Sequence, residues 1–174
     1  SDSSVAWFDR NETTGALTYI GFLRDNVNGV DGLDDSKGLA ISSDDKWIYI
    51  TSQNDHSVAW FERNSTTGNL TYVGMAKDGI NGVSGLLGAT SVKITKDDRY
   101  VYTTAYSSDA IAWFERNATS GNLNFLGSIS SDTLIGSYEL ALSPTSNNYL
   151  FATGFSSDAL NWYTIDSTNG NFYT

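Results

Sequence analysis

The sequence predicts an all-β protein, a β-propeller built of four-stranded antiparallel blades, with about three and a half blades in 174 residues. Three observations predict it. One phrase is written four times: SVAWFDRN at residues 4–11, SVAWFERN at 57–64, AIAWFERN at 110–117 and ALNWYTID at 159–166, in steps of 53, 53 and 49 residues. Each copy sits in the same succession of short apolar runs and polar turns. No segment carries the 3.6-residue period of an amphipathic helix. A repeat of about fifty residues holding four short strands is the pattern of a propeller blade.

The four strands of a unit are A, B, C and D in chain order. Strand A reads GLAISS, SVKITK and ELALSP in successive units, and strand B reads KWIYITS, RYVYTTA and NYLFATG. Strand B is rich in β-branched and aromatic residues, which fit a pleated, packed surface. SSDDKW and TKDDRY supply the polar turns between A and B. Strand C is the recurrent phrase. In SVAWF, Val58 and Trp60 point to one face while Ala59 and Phe61 point to the other, so both faces are apolar and both must be covered. Strand C is therefore an interior strand, and Trp7, Trp60, Trp113 and Trp162 are expected to be substantially buried between blades. Strand D follows a hairpin in which Gly15, Gly68, Gly121 and Gly170 recur at one position, where glycine supplies the positive φ of a tight loop.

Read this way, residues 1–174 form one propeller segment. A partial blade with strands C and D spans 1–25, complete blades span 37–77 and 89–129, and a last blade spans 137–174, its D strand starting at Asn171 and cut at Thr174. A closed ring takes four to eight blades, and an open arc leaves apolar blade faces bare. Three arrangements answer this: a fragment of a longer ring-closing chain, a ring completed in trans by two copies, or a fibre.

Composition narrows the function. The net charge is −10, which argues against nucleic acid and anionic membrane surfaces and suits cations or basic partners. No apolar run approaches the roughly 20 residues of a membrane helix. Cysteine is absent, so disulfides and thiolate metal sites are excluded. The chain starts without Met and without a signal-peptide pattern, as an excised or mature segment would.

Candidate site residues come from places where the repeat varies. Aligning the A strands sets Lys37, Thr90 and Tyr138 in one layer of the central channel, and Gly38, Ser91 and Glu139 in the next. Lys37, Tyr138, Glu139, Asp35 and His56 are the channel-rim ligand candidates, with pairing of Lys37 and Glu139 across the channel as the plainer role. His56 occupies the place of Asp109 and Asp158 in later units and is the single histidine, so zinc hydrolysis is not expected. The first linker offers Asp31, Asp34 and Asp35 as calcium candidates beside Asp25, although Val27 and Gly29 break the EF-hand pattern. No Gly-x-Ser-x-Gly elbow exists. Sequons at Asn11, Asn64, Asn69 and Asn117 are candidates for N-glycosylation, against the simpler role of Asn and Thr as turn formers.

The set NVNGVDGL at 26–33 and DGINGVSGL at 78–86, followed by strand, polar turn, strand and AWFxRNxTTGxL, resembles the lactonase-like (6-phosphogluconolactonase-type) seven-bladed β-propeller repeats. The resemblance covers essentially the whole chain. It implies the propeller fold and suggests a hydrolase, but its motifs are hairpins and linkers that carry no catalytic residue onto this sequence. The reading taken from the residues is an extracellular or secreted structural or binding module that self-associates through its blade faces, without cofactor. Its partners would be copies of itself or the missing remainder of a propeller, with glycans or cations as ligands. A fragment or half-ring of a lactonase-like hydrolase is the alternative, and a lectin-like glycan binder the second alternative.

Overall fold

The computed structural model describes residues 3–144, 146 and 148–173. Among the described residues fourteen strands form four antiparallel sheets. Blade 1 is the pair β1 (Ser4–Arg10) and β2 (Leu17–Arg24). Blade 2 holds β3 (Ser36–Ile41), β4 (Trp47–Ser52), β5 (Ser57–Arg63) and β6 (Leu70–Lys77), hydrogen-bonded in chain order. Blade 3 repeats this with β7 (Ala89–Ile94), β8 (Tyr100–Ala105), β9 (Ala110–Arg116) and β10 (Leu123–Ser130). Blade 4 holds β11 (Ser137–Leu142), β12 (Tyr149–Gly154), β13 (Ala159–Ile165) and β14 (Phe172–Tyr173). Thr174, where the sequence reading cuts the last strand, lies outside the described residues. A 3-10 turn at Asp132–Leu134 precedes blade 4. Among the described residues no helix is long and apolar enough to cross a membrane.

The core lies between the blades, as the two apolar faces of strand C require. Val58 and Trp60 of β5 pack with Val92, Val101, Ala112 and Phe114 of blade 3. Ala59 and Phe61, on the opposite face, meet Val5, Trp7 and Leu23 of blade 1. One unit on, Ile111 and Trp113 pack with Leu140, Leu150 and Tyr163 of blade 4. Each large apolar side chain buried in these layers contributes about 1.5–3 kcal/mol.

The tryptophans correct one expectation. Trp60 and Trp113 are buried, Trp7 is half-buried, and Trp162 is 66% exposed. The cause is what lies on top. The C–D hairpin of the following blade covers each ring: Trp60 Nε1 donates to Asn122 Oδ1 at 3.2 Å, and Trp113 Nε1 donates to Asn171 Oδ1 at 3.3 Å. Among the described residues no blade follows blade 4, so Trp162 and Leu160 face outward. Among the described residues nothing covers the other side of blade 1. Phe8 and Tyr19 form an edge-to-face pair like Phe61–Tyr72 and Phe114–Phe125, but only the blade 1 pair has both rings exposed.

Candidate functional site

Strands β3, β7 and β11 occupy the first edge of their sheets and run side by side, so they form the inner wall of the arc. Each carries a β-bulge at the same place. The register slips between Ser36 and Leu39, between Ala89 and Val92, and between Ser137 and Leu140. The slipped residues are Lys37–Gly38, Thr90–Ser91 and Tyr138–Glu139, the two layers whose composition varies from unit to unit. A bulge leaves backbone groups without ladder partners and re-aims side chains. Here a threonine of strand B supplies the missing partner. Thr51, Thr104 and Thr153 each accept a hydrogen bond at Oγ1 from the N–H of Gly38, Ser91 and Glu139, at 2.9, 3.2 and 3.2 Å. Thr51 and Thr104 also donate to the next inner strand, at Thr90 O (2.8 Å) and Tyr138 O (3.1 Å). Sequence reasoning missed this trio, although its recurrence at one position of strand B was the available signal.

The charged candidates pair locally rather than with each other. Lys37 Nζ lies 2.8 Å from Asp35 Oδ1, and Glu139 Oε1 lies 3.0 Å from Lys93 Nζ and accepts the Ser91 hydroxyl at 2.6 Å. The Lys37–Glu139 pair expected across the channel is therefore not made, because each finds an opposite charge nearer its own strand. Partial burial works to raise the Glu139 carboxyl, but the Ser91 hydroxyl and the Lys93 ammonium outweigh it and hold the group below its usual range. The hydrogen bond that Lys37 donates to Asp35 raises it above the ordinary lysine value. Both groups are thus ionised at neutral pH. With the exposed Tyr138 they present an anion, a cation and hydroxyl groups along one wall, a set suited to a polyhydroxy ligand bearing a carbonyl or carboxyl group.

His56 is a turn residue. Its backbone is left-handed, like that of Asp109 and Asp158, and its Nδ1 accepts the Gly88 N–H at 3.0 Å as Asp109 Oδ1 accepts the Gly136 N–H at 2.7 Å. The position needs an acceptor that ties the B–C turn to the next linker.

The rim carboxylates group differently from their order in the chain. Asp25, Asp31 and Asp55 each place an oxygen so that all three lie within 4.8 Å of one another. Of the calcium candidates only Asp31 belongs to this group: Asp34 accepts the Ser3 hydroxyl at 2.9 Å and Asp35 pairs with Lys37. Asp25 is buried and accepts the Leu33 N–H at 2.9 Å. Its burial, with the charges of Asp55, Asp31 and Asp34, pushes its carboxyl above the usual value against that hydrogen bond.

The sequon asparagines at residues 11, 64 and 117 are exposed at hairpin tips, and each Oδ1 accepts two backbone N–H groups two and three residues on. Asp166 makes the first of these bonds in the fourth unit, so the turn asks for an acceptor oxygen and explains the repetition without a glycan. Asn69 is exposed in the same loop, at the place where Asn122 and Asn171 cap the tryptophans.

A family model described as lactonase, 7-bladed beta-propeller, matches residues 1–84 and 75–173. The chain belongs to this lactonase family. No curated protein sequence matches it. Among solved structures it is similar to a protein from Lactobacillus plantarum, with a TM-score of 0.83 at 19% identity over 98% of this chain and 48% of that one. A putative 6-phosphogluconolactonase from Bacteroides uniformis superposes with a TM-score of 0.77 at 18% identity, covering 98% of this chain and 50% of that one. The periplasmic gluconolactonase of Pseudomonas aeruginosa gives 0.75 at 20% identity, covering 91% and 42%. At such identities the likeness is one of fold. The lactonase-family chain spans about half the length of these relatives.

Proposed function

We propose that the chain is one arc of a lactonase-like ring and that its inner wall binds a sugar-acid lactone for hydrolysis. The observation that carries this reading is the row of three bulges. They set Lys37, Ser91, Tyr138 and Glu139 on one wall, at the positions where the repeat stops repeating. Variation on a constant scaffold is where ligand chemistry is written. The structural relatives include a putative 6-phosphogluconolactonase and a gluconolactonase, which supports this reading over a self-associating extracellular module.

In the reaction, a water oxygen bonds to the lactone carbonyl carbon, the ring C–O bond breaks, the ring oxygen leaves as a hydroxyl, and one proton is released with the new carboxylate. Lys37, kept protonated by Asp35, would stabilise negative charge developing on the carbonyl oxygen. Tyr138 offers a hydroxyl contact to the polyol, and Glu139, held in place by the buried Ser91 hydroxyl, accepts a ligand hydroxyl.

The test is hydrolysis of δ-gluconolactone, followed by alkali uptake at constant pH, for the chain and for its Lys37→Ala and Glu139→Gln variants. The expected result is catalysis above the spontaneous rate, with kcat/KM falling about 10²-fold on loss of Lys37, the scale of a lost oxyanion donor. A rate equal to background, or variants that turn over as fast as the parent, overturns the reading.

A further inference from the structure

The rim cluster of blade 2 exceeds what the repeat needs. The corresponding positions in blade 3, 53 residues on, show what the scaffold requires. Asp78 there accepts the Leu86 N–H at 2.8 Å as Asp25 accepts that of Leu33. Ser108 accepts the Leu87 N–H at 3.0 Å where Asp55 accepts that of Asp34 at 2.7 Å. Ser84 stands in the place of Asp31, and Ala110 in the place of Ser57. The same linker geometry is thus built in blade 3 with one carboxylate. Blade 2 spends three, with Lys77 as a cation at 3.9 Å from Asp55. Crowded like charges destabilise the fold unless something offsets them.

A second observation points to what does. Ser57 is completely buried, and its hydroxyl has no hydrogen-bond partner. It stands opposite Ser52 on one side and Lys77 on the other, so its side chain shares their face of the sheet. Both neighbours reach Asp55: the Ser52 hydroxyl donates to Oδ2 at 3.1 Å, and Lys77 extends to Oδ1. The Ser57 Oγ also lies 3.1 Å from the point where a Cβ on Gly32, the residue after Asp31, would sit. The unpartnered hydroxyl therefore faces the linker at Asp31–Gly32, on the side of the sheet from which Ser52 and Lys77 reach Asp55.

We infer that Asp25, Asp31, Asp55 and Ser57 hold a calcium ion at the junction of blades 1 and 2. All the donors are hard oxygens, which excludes soft-metal selectivity. A Ca–O bond of about 2.4 Å lets ligand oxygens stand up to about 4.8 Å apart, whereas Mg–O bonds of about 2.0–2.1 Å draw them to about 4.2 Å. The oxygens of the three carboxylates lie within 4.8 Å of one another, inside the span that the larger ion bridges. The site joins the end of β2, the linker into β3 and the turn between β4 and β5, so the ion would clamp the two-stranded blade 1 onto blade 2. This inference is independent of the lactonase reading.

The experiment is calorimetric titration of the chelator-treated chain with CaCl2, and separately with MgCl2, with melting temperature recorded at each concentration. Asp31→Ser, Asp55→Ser and Ser57→Ala install the residues that blade 3 carries at the same positions. The parent should bind calcium at sub-millimolar concentration, at least 10-fold tighter than magnesium, with a rise in melting temperature. Either serine variant should lose at least 10-fold in affinity, and Ser57→Ala several-fold. In chelator the serine variants should melt no lower than the parent, since they relieve repulsion. Absence of a calcium heat at 10-fold higher concentrations, or equal binding by the serine variants, overturns the site. Unchanged binding in Ser57→Ala removes the observation on which it stands.

Discussion

The recurrent hairpin glycine separates two physical effects within one molecule. Gly15 and Gly121 occupy the same repeat position with φ of 73° and 70°. Alanine at either pays the left-handed penalty, about 1–2 kcal/mol. Around Gly15 nothing lies within 4 Å of an added Cβ. At Gly121 that Cβ would fall 2.1 Å from Cε3 of Trp47, a ring that is only 2% exposed and has no room to retreat. Overpacking of this kind costs a further 1–3 kcal/mol or so. Any backbone shift that relieves it also disturbs the hydrogen bond from Tyr49 Oη to Gly121 O, 2.7 Å long. Gly15→Ala should therefore lower stability by about 1–2 kcal/mol and Gly121→Ala by about 2–5 kcal/mol. Urea titration of both variants, monitored by circular dichroism, reads the difference. Adding Trp47→Phe should recover part of the Gly121→Ala loss, as coupling between contacting residues requires. Equal losses at the two glycines would refute the packing of the blade 3 hairpin under Trp47, and with it the interblade geometry.

Further outcomes follow from the interblade polar contacts. Tyr49 donates to Gly121 O and accepts from Arg116 Nε at 3.0 Å, whereas Tyr102 donates to Gly170 O at 2.7 Å and Ile165 stands where Arg116 stands one unit earlier. Tyr49→Phe should thus cost about 1–3 kcal/mol and Tyr102→Phe about 1 kcal/mol, measured by chemical denaturation. Burial raises both phenols, Tyr49 to about 12, so the unfolded chain loses these protons from about pH 10 while the folded chain keeps them. Stability should fall as pH rises from about 10 through 12, by on the order of 1 kcal/mol per pH unit and group, and melting curves of the two phenylalanine variants should be flatter there. Thr104→Val leaves the Ser91 N–H and the Tyr138 C=O without a partner, and should cost about 1–3 kcal/mol with faster exchange of the Ser91 amide by NMR.

Much of the fold is legible in the sequence because each unit repeats its own physical requirements. Alternation in SVAWF fixes two buried faces for strand C, and that alone demands a stack of like sheets. What the pattern of one unit cannot show is whether a neighbour is present. Trp162 reads like Trp113, yet its burial depends on an asparagine hairpin that the following blade must bring. The site was legible only in part for a similar reason. Variation at Lys37, Tyr138 and Glu139 marks the inner wall, but ion pairing is settled by which charge lies nearer in space. Asp35 and Lys93 win over the cross-channel partner. Among the rim acids, Asp34 and Asp35 are adjacent to each other in sequence and yet diverge, since Asp35 adopts a left-handed backbone. Asp55 joins Asp31 from a different turn altogether.

The repeat therefore serves as an internal reference for deciding what a residue is for. Where all units carry the same group, as with the threonines that satisfy the bulges, the scaffold explains it. Where one unit substitutes a chemically equivalent acceptor, as Asp166 does for asparagine or His56 for aspartate, the geometry needs the lone pair and not the identity. Where a unit adds charge that its neighbour's identical geometry does without, the scaffold explains nothing. Asp31 and Asp55 are of that last kind, and so are Lys37 and Glu139 on the inner wall. Both sets lie on the A-strand and linker side of blades whose hairpins are otherwise near copies. Residue changes confined to that side are the ones expected to alter ligand binding while leaving the blade stack intact.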